Sequence, residues 1–326
     1  MDTAVQGSPQ SHAANPRKEQ HVMNTTKILL AAATALAVSG PASASTFASA
    51  ILDITDFKLL HSSGADYSVA NFSTLAGIND AHATASLNGA FANDADSRSI
   101  LAPIPPNVAQ QCLGACMPIA ADTFTPIAGV PPVTTTYGHA DQKLTGAAIM
   151  IGATPAGAHA STRADASTAV NAVASGNSDV GTSTTFRFVM GTSDTMTVSF
   201  MGNPYTRALV TPGSGPVSNA NARLSWSINI LNVTTGATEL AYAPNELNAG
   251  SIRSATHAAP ADLIYAPGAS LFSATTGMLM AGNEYQITIQ HNSLANTLQA
   301  VPEPASLAIL ATGLLGMGFL GRRRRG

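Results

Sequence analysis

The two cysteines are the residues whose type and spacing most directly predict chemistry. Cys112 and Cys116 are separated by three residues with a central glycine, which lets their Cα atoms come within the roughly 7 Å that a disulfide requires. A metal site would need two more ligands, and no nearby Cys or His supplies them. A redox role is disfavoured because the spacing is not Cys-x-x-Cys. We therefore predict a local disulfide between Cys112 and Cys116.

Residues 93–97 place oxygen ligands at alternate positions, as a calcium loop does. The expected glycine is absent, however, and no glutamate closes the loop six residues later. We interpret the segment as a solvated turn, with calcium binding at Asp94 and Asp96 as the weaker alternative, and predict no cofactor. The body histidines show no metal-binding spacing and are interpreted as surface or strand residues. They are His61, His82, His139, His159, His257 and His291.

Signatures of catalysis are missing from the sequence. No Gly-x-Ser-x-Gly elbow occurs, since residues 176–181 contain one residue too many. No glycine-rich phosphate loop opens a helix. The body glutamates, Glu239, Glu246 and Glu284, look like solvated strand or loop residues rather than a glycosidase pair. The sequence therefore predicts no catalytic residue and a non-enzymatic protein, although a sandwich enzyme can assemble its site from dispersed residues.

Charge is scarce and unevenly placed. Only 10% of the 326 residues are charged, whereas roughly a quarter is usual in a globular protein. Residues 45–300 carry eight Lys and Arg against fifteen Asp and Glu, so an acidic middle lies between two basic ends. Binding to DNA or RNA needs clustered cations, so nucleic acid is excluded as a partner.

The N-terminal region has the three parts of a secretory signal peptide. A short cationic start from Met23 precedes an apolar stretch over residues 28–38, and Ala42 and Ala44 form a small-x-small site. We predict a signal peptide over 23–44, cleaved after Ala44, with the Sec translocon and signal peptidase as partners. Residues 1–22 are polar and are interpreted as an upstream-start artefact. A buried helix is disfavoured because Gly40 and Pro41 would break it.

The C-terminal region combines a short motif, an apolar run and a cationic end. The motif Val301, Pro302, Glu303 and Pro304 precedes an uncharged apolar run over 305–321. Seventeen residues cover about 25 Å as a helix, near the lower limit for crossing a bilayer core of about 30 Å. The positive-inside rule keeps the terminal cluster cytoplasmic and the body outside. The cluster is Arg322, Arg323, Arg324 and Arg325.

These ordered elements resemble the PEP-CTERM sorting signal. The resemblance covers residues 301–326, and a plain tail anchor would not explain the Val-Pro-Glu-Pro motif. It implies a Gram-negative bacterial protein that is anchored transiently in the inner membrane. It also implies cutting near the motif by exosortase, a membrane cysteine protease, and transfer to the cell surface or matrix. The Ser-, Thr- and Asn-rich body resembles the β-rich ectodomains found with such signals.

Alternating apolar and polar residues predict strands in the body, residues 45–300. The clearest prediction is a hairpin over residues 185–201, turning at 191–194. A second hairpin runs from 223 to 242, with Leu224, Trp226, Ile228 and Ile230 on one buried face. Further strands are predicted at 50–59, around Ala81, and at 285–290. The Ala-rich segment 159–174 is assigned to strand, and the Pro-rich segment 102–135 is predicted to be a long loop.

Short strands with Gly and Pro punctuation predict an all-β body, an antiparallel sandwich or jelly roll. We expect an exported, exosortase-processed structural protein of the cell surface or biofilm matrix, in contact with extracellular polysaccharide. The expected contact with polysaccharide rests on a low-charge exterior that is rich in hydroxyl and amide groups. The alternative is a secreted jelly roll that binds carbohydrate or, less plausibly, cleaves it. The few aromatic residues of the body weaken that alternative.

Overall fold

The computed structural model describes residues 45–299 except 117, 118, 130, 132, 133, 170, 181–183, 213, 215, 216 and 257–261. The described chain is nearly all β-strand, with two short 3-10 helices, Val69–Asn71 and Asn245–Asn248. Its strands pair in antiparallel fashion, which confirms the predicted all-β class. The predicted signal peptide at 23–44 and transmembrane helix at 305–321 lie outside the described residues.

Seven strands form the first sheet. They are β1 (Thr46–Leu60), β4 (Gln111–Gly114), β5 (Tyr137–Thr145), β6 (Ala158–Thr168), β9 (Asp194–Val210), β13 (Asp262–Tyr265) and β14 (Ser270–Leu279). Their order is β13-β9-β1-β6-β5-β4, and β14 also pairs with β9. The long strands β1 and β9 are therefore central, so their side chains can be covered on both faces.

Eight strands form the second sheet. They are β2 (Phe72–Leu87), β3 (Ala90–Ser99), β7 (Ala172–Val180), β8 (Thr184–Met190), β10 (Asn219–Asn232), β11 (Thr238–Tyr242), β12 (Gly250–Ser254) and β15 (Glu284–Gln299). The order is β11-β10-β15-β7-β2-β3, with β12 beside β10. Both β7 and β8 pair with β15 and β2, so they lie end to end in one position of the sheet.

The two sheets pack face to face around one large apolar core. Alternate residues of β10 point inward, and Trp226 lies 4.5 Å from Phe200 of the first sheet between ring centroids. The predicted buried face of β10 is confirmed, since Leu224, Trp226, Ile228 and Ile230 are 0–4% exposed. This pattern follows from the period of two, which brings every second side chain to the same face.

Small residues replace large ones where β5 lies over β2 and β7. Ala81 and Ala83 pack against Ala140 across the gap. A Cβ added to Gly176 would lie 1.9 Å from the His139 carbonyl oxygen, and one on Gly138 would lie 2.2 Å from the Ser175 carbonyl oxygen. The backbones of the two sheets therefore touch here, and only glycine fits.

The predicted hairpin over residues 185–201 is wrong in its pairing, although both of its strands exist. Strand β8 pairs with β15 and β2 in the second sheet, whereas β9 pairs with β1, β13 and β14 in the first. Phe188 and Val198 both point into the core from opposite sides. A crossing between facing sheets buries the same alternating residues as a hairpin does, so the pattern could not distinguish the two.

The other strand predictions are confirmed with longer bounds. Strands β10 and β11 pair as a hairpin, with Ile228 opposite Tyr242. The Ala-rich segment forms β6 and β7, and the final strand continues to Gln299. The Pro-rich segment contains one short strand, β4, and is otherwise loop among its described residues.

The predicted turn at residues 93–97 is also wrong, because these residues lie within β3. Strand β3 pairs with β2, with Asp94 opposite Ala83 and Asp96 opposite Ala81. The actual turn is Asn88-Gly89, at φ 50° and 83°. Two consecutive positive φ values suit the type I′ turn that joins short hairpins, and Asn-Gly is its usual sequence.

Candidate functional site

Both ends of the described body lie at the same end of the sandwich. Thr46 pairs with Thr168, the last residue of β6. Gln299 pairs with Ala172, the first residue of β7. Thr46 and Gln299 therefore lie on either side of the short connection between β6 and β7. The predicted processing residues themselves, at 42–44, 301–304 and 322–325, lie outside the described residues.

The Pro-rich segment covers the outer face of the first sheet, and buried charges hold it there. Arg163 donates from Nη1 to the carbonyl oxygens of Thr123 and Thr125, at 3.0 and 2.9 Å. Its Nε donates to Asp165 at 2.5 Å, and His139 Nδ1 lies 3.1 Å from the same carboxylate. Arg163, Asp165 and His139, here called the anchor cluster, are at most 1% exposed.

Asp165 of the anchor cluster is ionised for a physical reason. Burial raises the pKa of Asp165, but the charge of Arg163 and the hydrogen bond from His139 outweigh it and hold that pKa well below its usual range. On the far side of the ring, the Gln110 amide lies 2.7 Å from His139 Nε2. Each charged atom thus contacts the protein's own groups, which is the geometry of a structural clamp.

A second clamp lies further along the same face. Arg207 forms a two-pronged ion pair with Asp262, at 3.1 and 2.7 Å. Its Nη1 donates to the Gly129 carbonyl oxygen at 2.8 Å. The hydrogen bond to Asp262 raises the pKa of Arg207 further. Arginine suits this role because its planar group satisfies a carboxylate and a carbonyl at once.

Serine, histidine and aspartate also meet on the outer face of the first sheet. Ser161 Oγ donates to Asp53 Oδ1 at 2.5 Å, and His159 Nε2 lies 2.8 Å from the same oxygen. In a catalytic triad the histidine uses one ring nitrogen for serine and the other for aspartate. Here both neighbours contact Nε2, since Ser161 Oγ lies 3.2 Å from it. The arrangement therefore does not activate Ser161 as a nucleophile.

The predicted disulfide residues lie in and just after β4. Cys112 and Cys116 are bonded, with Cα atoms 6.2 Å apart. Cys112 stands opposite His139 of β5 in the strand register. The link thus closes a small loop beside the strand that carries one member of the anchor cluster.

Asp94 and Asp96 use their oxygens on the protein itself. Asp94 accepts from the backbone N–H groups of Ala95 and Ala109, at 3.0 and 2.8 Å. Asp96 accepts from Arg98 Nε at 2.7 Å. Within the described part of the chain, no group of three or more His, Cys, Asp or Glu side chains is placed to hold a metal ion.

Two further histidines have defined partners. His61 Nδ1 lies 2.7 Å from Asp194 Oδ2, and its ring stacks on Tyr67. Burial raises the pKa of Asp194, but hydrogen bonds from Ser62 and His61 outweigh it and lower that pKa to about 2. His291 is buried between the sheets beside Thr162 Oγ1 and the Leu52 carbonyl oxygen. Burial lowers the pKa of His291 to about 4.

The aromatic residues are mostly inside the body, and Phe91, which is 69% exposed, is an exception. Trp226, Tyr67, Tyr137 and Tyr285 are at most 1% exposed. The remaining tyrosines, Tyr205, Tyr242 and Tyr265, are half-buried. Sugar-binding sites usually present a flat aromatic ring to solvent, and these positions offer little such surface.

An uncharged polar surface covers the middle of the second sheet. Strands β10 and β15 place three pairs opposite each other: Ser225 with Asn292, Ser227 with Gln290, and Asn229 with Thr288. All six side chains are exposed or half-buried, because their neighbours along each strand point into the core. We call these six residues the amide–hydroxyl face. It offers hydrogen-bond donors and acceptors without a charge.

A cavity of about 100 Å³ lies between the sheets. Its wall is mostly apolar, with Phe57 from the first sheet and Phe186 and Trp226 from the second. The polar residues on the wall are Asn79 and His291. Sequence reasoning missed it, because its wall comes from segments far apart in the chain.

Sequence reasoning also missed the anchor cluster. One local signal existed: Arg163 and Asp165 stand two residues apart, on one face of an Ala-rich strand in a charge-poor protein. Charges at such positions must be paired if the strand is covered. The partners His139 and the loop carbonyls are distant in sequence, so only the fold identifies them.

Comparison with known proteins identifies one segment. Residues 300–325 match the family model of the PEP-CTERM protein-sorting motif. No curated protein and no solved structure matches the chain. The chain therefore carries a PEP-CTERM signal, which implies export and a C-terminal membrane-anchored sorting segment. Among the residues that the structure describes, no helix is long and apolar enough to cross a membrane.

Proposed function

We propose that this exosortase-dependent exported protein is a non-enzymatic structural component of a Gram-negative cell surface or biofilm matrix. Exosortase would cut near residues 301–304, and the body would then associate with extracellular polysaccharide. The sorting motif supports the export and the processing partner. The structural role rests on the amide–hydroxyl face, where six uncharged side chains form a surface suited to hydrogen bonding with glycan hydroxyls.

The anchor cluster and the second clamp support the non-enzymatic part of the proposal. Their charged groups hold the Pro-rich segment against the first sheet. The contacts of Ser161, His159 and Asp53 are likewise unsuited to nucleophilic catalysis. The chemistry-bearing side chains of the body thus have a structural use, which fits a durable matrix component.

A charge placed on the amide–hydroxyl face tests the proposal. The double variant Ser227→Glu/Asn229→Glu should reduce retention on the exopolysaccharide of the producing strain, because that face would become anionic and more strongly hydrated. The matched control is Ser273→Glu on the exposed side of β14. Equal retention of both variants and the unmodified protein would contradict the assignment of this face. Release of shortened glycans by the purified protein would contradict the non-enzymatic role.

A carbohydrate-binding module with an aromatic platform is the competing function. The half-buried Tyr265 is the residue to test for it, although its hydroxyl already donates to the Glu246 carbonyl oxygen at 3.2 Å. Discrete glycan-array binding that Tyr265→Ala abolishes would support this module over the matrix role. We expect no such loss.

A further inference from the structure

The cavity between the sheets is bounded by two irregularities of the backbone. In the second sheet, β15 changes its partner from β8 at Ile289 to β7 at Asn292. Strand β2 makes the same change between Ile78 and Ala81. Asn79 and His291, which line the cavity, lie within this interval.

The facing irregularity is a bulge in β1. The pairing of β1 with β6 shifts between Ile54 and Phe57, and Asp56 within the bulge has a φ of 55°. Both Ile54 and Phe57 line the cavity. The segment after β5 supplies Gly146, whose added Cβ would lie 2.5 Å from the Gly157 carbonyl oxygen. The cavity therefore coincides with a change of strand partner in the second sheet and a bulge in the first.

The wall is suited to an apolar ring. Phe57, Phe186 and Trp226 approach from three different strands, and aliphatic residues fill the intervals. His291 Nε2 is already held by Thr162 and by the Leu52 carbonyl oxygen, at 3.0 and 3.1 Å. Interiors are usually packed without voids larger than a water, and an apolar cavity of about 150 Å³ stays dry and binds benzene. The space here, about 100 Å³, is smaller than that cavity but of the same order.

We propose that this cavity is a binding site for one small, uncharged aromatic compound, a benzene ring with few or no substituents. Aromatic pairs gain from edge-to-face or offset contacts, which three rings on separate strands can provide around a bound ring. The proposal is independent of the sorting signal and of the amide–hydroxyl face. It would give the exported body a small-molecule ligand in addition to its polysaccharide contacts.

The chain's single tryptophan makes the site testable. Trp226 lines the cavity and is 1% exposed. Bromobenzene should quench its fluorescence in the processed, purified protein along a saturating curve, because a bound heavy atom contacts the indole. Benzene should reverse the quenching by competition, and iodide in solution should leave the fluorescence unchanged. Quenching that rises linearly with bromobenzene and is not reversed by benzene would overturn the proposal.

A variant that fills the cavity provides a second test of the proposed binding site. Ala160→Leu places a larger side chain on the wall and should weaken bromobenzene binding roughly tenfold or more, as the ring's burial is lost. Ala274→Leu, at a half-buried strand alanine outside the cavity wall, should leave binding unchanged. Should Ala160→Leu fail to fold, Ala148→Leu on the same wall replaces it. Unchanged binding in a folded cavity variant would overturn the proposal.

Discussion

At the scale of single residues, some of the body's few charges are buried, and these have a structural use. Arg163 is the clearest case, because its donors reach both Asp165 and two loop carbonyls while the residue is 1% exposed. A buried cation in this position must be paired. Arg163 and Arg207 each hold the Pro-rich segment against a strand, so these two charges determine the position of the segment.

Removing one partner of the anchor cluster should be costly. Asp165→Asn leaves Arg163 buried without its counter-charge, and the expected loss in unfolding free energy is about 3–5 kcal/mol. Arg187→Met, which breaks the exposed pair with Glu284, is the control and should cost less than about 1 kcal/mol. Urea denaturation of the three proteins measures both effects. Similar midpoints for Asp165→Asn and Arg187→Met would show that the cluster is not a clamp.

His291 should make stability depend on pH in a defined window. Its pKa falls from 6.5 to about 4 on folding because burial disfavours the charged ring. The unfolded state therefore takes up the proton first, and the unfolding free energy should fall as pH drops from about 6.5 to about 4. The slope is about 1.4 kcal/mol per pH unit. The folded pKa of Asp194 is about 2, so protonation of this carboxyl lowers the unfolding free energy mainly at pH values below this window.

Denaturation at several pH values, for the unmodified protein and His291→Gln, measures that slope. The glutamine amide cannot titrate, so the unfolding free energy of the variant should depend less on pH between 6.5 and 4. Parallel curves for the two proteins would show that His291 does not carry the dependence.

At the scale of elements, the contact of β5 with β7 depends on glycine. Gly176→Ala would place a methyl group 1.9 Å from the His139 carbonyl oxygen, where the backbone must shift. We expect a loss at or above the usual 1–3 kcal/mol of overpacking. Gly277→Ala on β14 is the matched control, since its nearest atom is 3.9 Å away. Thermal unfolding compares them, and equal melting temperatures would contradict the close approach of the sheets.

The Cys112–Cys116 link should be oxidised in the exported protein. Alkylation without reductant should then add no label, and reduction beforehand should add two. Because the closed loop is short, the double variant Cys112→Ser/Cys116→Ser should lose only about 2 kcal/mol of unfolding free energy. Rapid labelling of both thiols in the unreduced protein would contradict the disulfide.

The elements also show how far the sequence could be interpreted. Period-two alternation locates β1, β2, β10 and β15, because alternate residues of each strand face a continuous core. It could not assign β8 and β9 to different sheets, since facing sheets and hairpins produce the same pattern. Asn88-Gly89 is a usual hairpin-turn sequence, whereas the sequence prediction places a turn at residues 93–97, inside β3. The cavity combines distant segments and has no local pattern, and the anchor cluster shows only the spacing of Arg163 and Asp165 locally.

At the scale of the whole molecule, the body lies between the predicted signal peptide and the sorting motif matched at residues 300–325. Thr46 and Gln299, near the two ends of the described body, lie at the same end of the sandwich. Gln299 is still paired in β15, and only Ala300 separates it from the motif at 301–304. Processing near that motif would therefore leave the sandwich almost without a C-terminal extension.

The intact mass of the exported protein tests this account most directly. In cells with active exosortase, the body should end within or near residues 301–304 and should lack Arg322–Arg325. In cells without exosortase, the full tail should remain and the protein should stay with the membrane. A full-length tail on the mature protein of exosortase-active cells would contradict the account.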